Sequence, residues 1–183
     1  MKTTNRNGYE TWRGSKYQPE MATTDITAGI RKDIREAQDR GDLPGSLVVS
    51  VRKEHGGFTP AIRINVTGGL PCDLYNPELI RTHARRLVLQ AKGATEAELR
   101  AVRFRGERHS EGWLAIQAKL RAIAAEYDEG ESHALSDYDR RHFYCWIGVE
   151  PAYHNRLFAA AVETAKAEVA AADPDYRETA LRG

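Results

Sequence analysis

The sequence predicts an α+β fold: a small antiparallel sheet of about three strands packed against several helices, in the order α-β-β-α-α-α-β-α. Three observations lead there. Apolar residues alternate with a period of two in the segments 46–52, 61–67 and 142–149. They recur at helical spacing in the segments around these. The strands are too few for a sandwich, so helices must cover them. A single domain is expected over residues 23–172, with an irregular arm over 1–22 and a polar tail over 173–183.

The arm mixes Gly, Asn, Thr and charge without a period, yet carries Tyr9, Trp12 and Tyr17. Aromatics in a polar segment point to docking, on the parent domain or on a partner. A first helix follows, with Thr23 or Thr24 as its cap, Asp25 at its positive end and an Ile26, Ile30, Ile34, Ala37 stripe. Gly41 and Pro44 stop it. Leu47, Val49 and Val51 then share one strand face, and Ile62, Ile64 and Val66 another, which reads as a hairpin across the glycine-containing loop 53–60.

Asn76-Pro77 opens the next helix in the favoured order of cap and first-turn proline, with Ile80, Ala84 or His83, Leu87 and Ala91 as its buried stripe and Gly93 at its end. Thr95 and Glu98 have capping-box spacing for a short helix to Val102. Trp113, Ile116, Leu120, Ile123 and Tyr127 make the strongest helical stripe. Residues 128–139 read as an acidic loop. In the third strand Phe143, Cys145, Ile147 and Val149 face away from His142, Tyr144 and Trp146. Pro151 breaks it, and an alanine-rich helix over 155–172 closes the domain.

Composition excludes several classes. Twenty-seven basic residues against 26 acidic ones leave a formal charge of +1, so no global field draws the chain to nucleic acid or an anionic membrane. No run approaches the roughly 18 apolar residues of a membrane helix, and residues 1–20 lack an apolar signal core. Two cysteines, Cys72 and Cys145, make no disulfide framework and read as reduced thiols, consistent with a cytoplasmic protein.

The helix bearing Ile30 and Ile34, then Ser50-Val51-Arg52, Gly56-Gly57 and Ile62-Arg63-Ile64-Asn65-Val66, form a recognisable set. With Tyr127-Asp128, Ser136-Asp137-Tyr138 and Phe143-Tyr144, it resembles the twenty-ninth type of large polyvalent protein-associated domain, over roughly residues 23–150. That family occurs in phage and conjugative-element proteins. Here Phe58-Thr59-Pro60 and Thr67-Gly68-Gly69-Leu70-Pro71 depart from its usual small polar residues and Trp-Asp-Gly-Pro-like turn. The resemblance carries no established activity. It implies a mobile-element protein in the cytoplasm of a bacterial host, of a kind that sometimes blunts host defences.

Candidate sites are few. Residues 81–108 hold eight basic side chains against three acidic ones. Arg81 and Arg85 lie one helical turn apart and, with Arg86, Arg103, Arg105 and Arg108, can track phosphates. The competing reading is a solvated face or internal pairing with the acidic stretch 126–139. Asp137 and Asp139, with Asp128, Glu129 and Glu131, suit an acidic surface aimed at a basic groove; their spacing does not fit a calcium loop. The Lys53–Gly57 loop lacks the Lys-Ser/Thr of a phosphate loop, so its glycines read as turn formers. His109, His133, His142 and His154 show no zinc spacing, and Ser110, Ser132 and Ser136 no nucleophile elbow. No cofactor, metal or catalytic residue is nominated. Tyr144 and Trp146 lie either under a helix or in an exposed protein-binding patch, as does Trp12 if the arm is free. Stacking on single-stranded bases needs adjoining positive charge, for which Arg140 and Arg141 are the neighbours in sequence.

The expectation is a non-catalytic binding protein of phage or mobile-element origin, an anti-CRISPR-like or other inhibitor of a host defence complex. Its partner is then a host protein or protein–nucleic acid complex. The alternative is a nucleic-acid-binding module using residues 81–108, and the third reading an enzyme. The oligomeric state is left open.

Overall fold

The computed structural model describes residues 2–4, 9–54, 59–133 and 139–172. It is an α+β protein with a three-stranded sheet, as the periodicities predict, and a second sheet that they do not. The chain divides into two compact units: Met1–Pro71 with Ala115–Glu150, and Cys72–Leu114 with Pro151–Gly183.

In the first unit, helix α1 (Thr23–Asp39) buries Ile26, Ile30, Ile34 and Ala37. Its cap differs from expectation. The N-cap is Ala22, with no side-chain hydrogen bond, and Thr27 Oγ1 donates to Thr24 O instead. The chain turns at Gly41, whose φ of 79° suits glycine, and enters the hairpin β3 (Val48–Glu54) and β4 (Ala61–Gly68). Strand β7 (Tyr144–Val149) lies on the far side of β4, giving the order β3-β4-β7. The expected antiparallel sheet is therefore mixed, because β7 runs parallel to β4 with Ile62, Ile64 and Val66 opposite Cys145, Ile147 and Val149. A parallel neighbour needs a long crossover, and here helices separate β4 from β7 in sequence. Val51, Ile62, Ile64 and Val66 are fully buried, and α1 lies against β3.

The second sheet has the order β1-β2-β5-β6. Its strands are Lys2–Thr4, Tyr9–Arg13, Glu129–His133 and Asp139–Arg141, all antiparallel. Two expectations are corrected here: the arm is not irregular throughout, and the acidic segment is not simply a loop. Their charged sequences lack apolar alternation because the backbone ladder, rather than a buried face, carries most of the pairing. One dense contact anchors it. Trp12 pairs with Gly130, and a Cβ at Gly130 would lie 2.1 Å from the indole, so only glycine fits beneath the ring.

The second unit is helical. Helix α2 (Pro77–Ala91) starts as predicted, Asn76 accepting from Glu78 N. Helix α3 (Glu96–Ala101) has the Thr95–Glu98 capping box. Helix α4 (Glu111–Ala125) is capped by Ser110, whose hydroxyl accepts from Trp113 N, and it continues into the first unit. Helix α5 (Pro151–Ala172) begins four residues before the predicted start, with the strand-breaking proline as its first residue. Ile80 and Ala84 of α2 pack against Val162 and Ala165 of α5, flanked by Tyr75 and Phe158. Among the described residues no helix is long and apolar enough to cross a membrane.

Candidate functional site

The three-stranded sheet keeps one face open except at Ala61, which is buried between the register positions of Glu54 and Tyr144. Alternation sends Ser50, Arg52 and Glu54 of β3, Arg63, Asn65 and Thr67 of β4, and Tyr144, Trp146 and Gly148 of β7 to the side opposite the buried valines and isoleucines. Tyr144 is 36% and Trp146 47% exposed, which among the described residues makes them, with Val48, the large apolar side chains most open to solvent. Their rings lie 6.2 Å apart, inclined by 28°. The pair is exposed, not under a helix.

The positive charge comes from an unexpected direction. Arg140 and Arg141 are carried off in β6, Arg141 lying over the Trp12 ring at 5.1 Å and Arg140 beside Glu131. The register instead places Arg63 directly opposite Trp146, and Arg52 opposite Arg63. The Arg63 guanidinium stands 5.9 Å from the centre of the Trp146 ring. Its other side is gripped by Glu54 through two bonds of 2.5 and 2.9 Å, which lower the carboxyl's pKa and raise that of the guanidinium. Arg52 donates to the Ser50 hydroxyl. Gly148 lies opposite Asn65, and a Cβ there would meet nothing within 4 Å, so the sheet is clear beside the indole.

Both outer strands are capped from the side. Tyr144 N donates to Pro60 O, just before β4, and Glu150 N to Val66 O, so residues of odd number in β7 turn their backbone groups outward, and Gln117 of α4 donates to Ile147 O at 3.1 Å. On β3, Arg31 donates twice to Val51 O. One carbonyl on each outer strand is taken in this way, which hinders a further strand at those positions.

The predicted arginines divide. Arg81, Arg85 and Arg103 line one cleft of about 670 Å³ between α2, α3 and the end of α5, over a floor that includes Leu89, Val102 and Val169. Arg86, Arg105 and Arg108 do not line it. Glu78 and Glu98 share the cleft, and Glu78 holds Arg81 at 2.5 Å, so the excess of charge is smaller than the sequence count suggests. The described acidic residues of 126–133 find partners in their own unit: Glu129 with Arg13, Asp128 with Trp12, Glu126 with Ser15. Asp137 lies outside the described residues; Asp139 is placed in β6 by its backbone.

A second cleft of about 410 Å³ in the helical unit gathers Cys72, Asp73, Tyr75, Arg81 and Glu168. Converging titratable groups are what catalysis requires, but Cys72 and Tyr75 are shifted away from activation. Burial raises the Cys72 thiol and the Tyr75 phenol, the opposite of what a nucleophile or base needs, and the Tyr75 hydroxyl is engaged with His154 Nε2. Cys145, turned inward on β7, is pushed up to about 11 by burial. Both thiols are free. Among the described residues no group of three His, Cys, Asp or Glu side chains is placed to hold a metal ion.

Trp12 is not a free docking residue. It is half-buried, with Nε1 donating to Asp128 Oδ2 at 3.1 Å. Two residues that sequence reasoning missed, Arg52 and Arg63, were hidden because their neighbourhood is set by cross-strand register. Their only local signal was alternation on a strand face. No family model, curated protein or solved structure matches this chain.

Proposed function

We propose that this chain is a non-catalytic binding protein whose recognition surface is the open face of the β3-β4-β7 sheet. The observation that carries the reading is the exposed Tyr144–Trp146 pair, backed by Arg63 in the facing register position. Exposing two large rings costs solubility, and aromatics beside arginine are the side chains from which binding hot spots are made. The resemblance to the large polyvalent protein-associated family supports a setting: a phage or other mobile element, acting on a host protein or protein–nucleic acid complex of a defence system.

The test compares wild type with the Tyr144→Ala/Trp146→Ala variant, each immobilised and exposed to bacterial lysate containing defence-system components. Wild type retains a component that the variant loses by more than about tenfold, the scale of one lost hot spot. Equal retention by both proteins sinks the reading.

A second reading has its own observation, the grouping of Arg81, Arg85 and Arg103 on one cleft. It makes the helical unit a nucleic-acid-binding module. It predicts DNA or RNA retardation that weakens steeply with salt and is lost in Arg81→Ala/Arg85→Ala/Arg103→Ala.

A further inference from the structure

We infer that the ligand of the open sheet face is a single-stranded nucleic acid, its bases stacked on Tyr144 and Trp146 and its phosphates beside Arg63 and Arg52. This rests on the sheet-face reading above and names the class of ligand. Alternate residues of one strand stand about 6.6 Å apart, twice the rise per residue. Tyr144 and Trp146 therefore offer two aromatic side chains in a row, 36% and 47% exposed. A base of any identity can stack there, since every base has a π face.

The rest of the face suits the remainder of a nucleotide. Arg52, Arg63 and Trp146 form one row across three strands, so two arginine backbone positions lie within about 10 Å of the ring-bearing one at a strand spacing of roughly 4.8 Å. Single-stranded ligands are held by this mixture of stacking and backbone charge. Gly148 clears the space over Asn65, leaving its amide within reach of a base edge lying past the indole. Ser50 and Thr67 add hydroxyls on the same side.

A protein partner fits less well. Among the described residues of this face the exposed large apolar side chains are Tyr144 and Trp146, a small apolar centre set among polar groups, whereas protein interfaces have apolar cores. Strand addition to the sheet is opposed by Arg31 and Gln117 on the outer strands. Glu54 sharpens the chemistry. It competes with phosphate for the Arg63 fork, so its removal should tighten nucleic acid binding, which a merely hydrophobic surface would not show.

The experiment is fluorescence anisotropy of the full chain with fluorescein-labelled dT15 and U15, and with a 15-base-pair duplex as the control. The expected result is preference for the single strands and about sevenfold weakening from 50 to 200 mM salt, as two phosphate contacts require. Trp146→Ala and Gly148→Glu each weaken binding by roughly tenfold or more, Trp146→Phe much less, and Glu54→Gln strengthens it. Circular dichroism confirms that each variant is folded. The inference is overturned if wild type and Trp146→Ala bind the single strands equally, or if neither binds at roughly 100 μM, the weak end of non-specific affinity. Loss of binding on Arg81→Ala/Arg85→Ala/Arg103→Ala alone also overturns it, placing the ligand in the helical unit. Should the oligonucleotides fail while capture from nuclease-treated lysate still depends on Trp146, the ligand is a protein and the sheet-face reading survives. Failure of both assays removes both.

Discussion

Trp12 and Trp146 have the same equipment and opposite roles. Each sits on a strand, and each has an arginine near its ring, Arg141 at 5.1 Å for Trp12 and Arg63 at 5.9 Å for Trp146. The difference lies in what meets the rest of the indole. Trp12 rests on Gly130 and gives its N–H to a buried carboxylate, so its surface is consumed inside the protein. Trp146 has a tyrosine beside it and an open glycine position next to it on the same face, and it stays 47% exposed. Arginine near tryptophan therefore does not distinguish a structural contact from a recognition surface; the remaining neighbours of the ring do.

The sharpest break in that comparison is Trp12→Ala. It removes a half-buried ring together with the hydrogen bond that serves Asp128, and should cost about 2–4 kcal/mol. Urea unfolding measures it, and a loss below about 0.5 kcal/mol would mean that the four-stranded sheet is not held by this residue. Gly130→Ala tests the same contact from the other side. The ring must shift to admit a methyl group, at an expected cost of about 1–3 kcal/mol.

Asp128 adds a pH dependence. Burial raises its carboxyl pKa, against the opposing pull of the Trp12 indole, the Phe143 and His142 amides and Arg141. Because the folded value is raised, the contribution to stability is fully present below the ordinary aspartate pKa near 3.9. It is lost as pH rises through the higher folded value. Asp128→Asn keeps an acceptor for Trp12 Nε1 and removes the charge. It should raise Tm at pH 7 and flatten the dependence on pH above 4; a variant less stable than wild type at pH 7 would show that the charge is favourable where it sits.

Legibility followed burial. The strands 46–52, 61–67 and 142–149 were readable because one face of each is apolar, and Asn76-Pro77 and the Thr95–Glu98 box because caps are local. The second sheet was not readable. Segments such as Glu129–His133 have no apolar stripe, and their pairing with Tyr9–Arg13 joins residues more than a hundred positions apart. The parallel direction of Tyr144–Val149 was hidden for the same reason, since no periodicity records which way a strand runs. So it was with the candidate site: Tyr144 and Trp146 were visible as aromatics, but the arginine facing them arrives from residue 63. The six arginines nominated between 81 and 108 are divided by the fold. Proximity in sequence put Arg86, Arg105 and Arg108 beside Arg81, and only Arg81, Arg85 and Arg103 share a cleft.

The smallest expected effect separates the two tryptophans most cleanly. Trp146→Ala should change stability by no more than about 0.5 kcal/mol, because the residue is 47% exposed and surface substitutions have small effects. The cation–π contact with Arg63 is worth little at an exposed site, and Glu54 continues to hold the guanidinium when the ring is gone. A surface residue kept for folding would show its cost in urea unfolding. One kept for recognition shows it only when ligand is present, so a variant with unchanged unfolding and lost binding assigns Trp146 to recognition. A loss near that of Trp12→Ala would instead make the open face part of the fold's support.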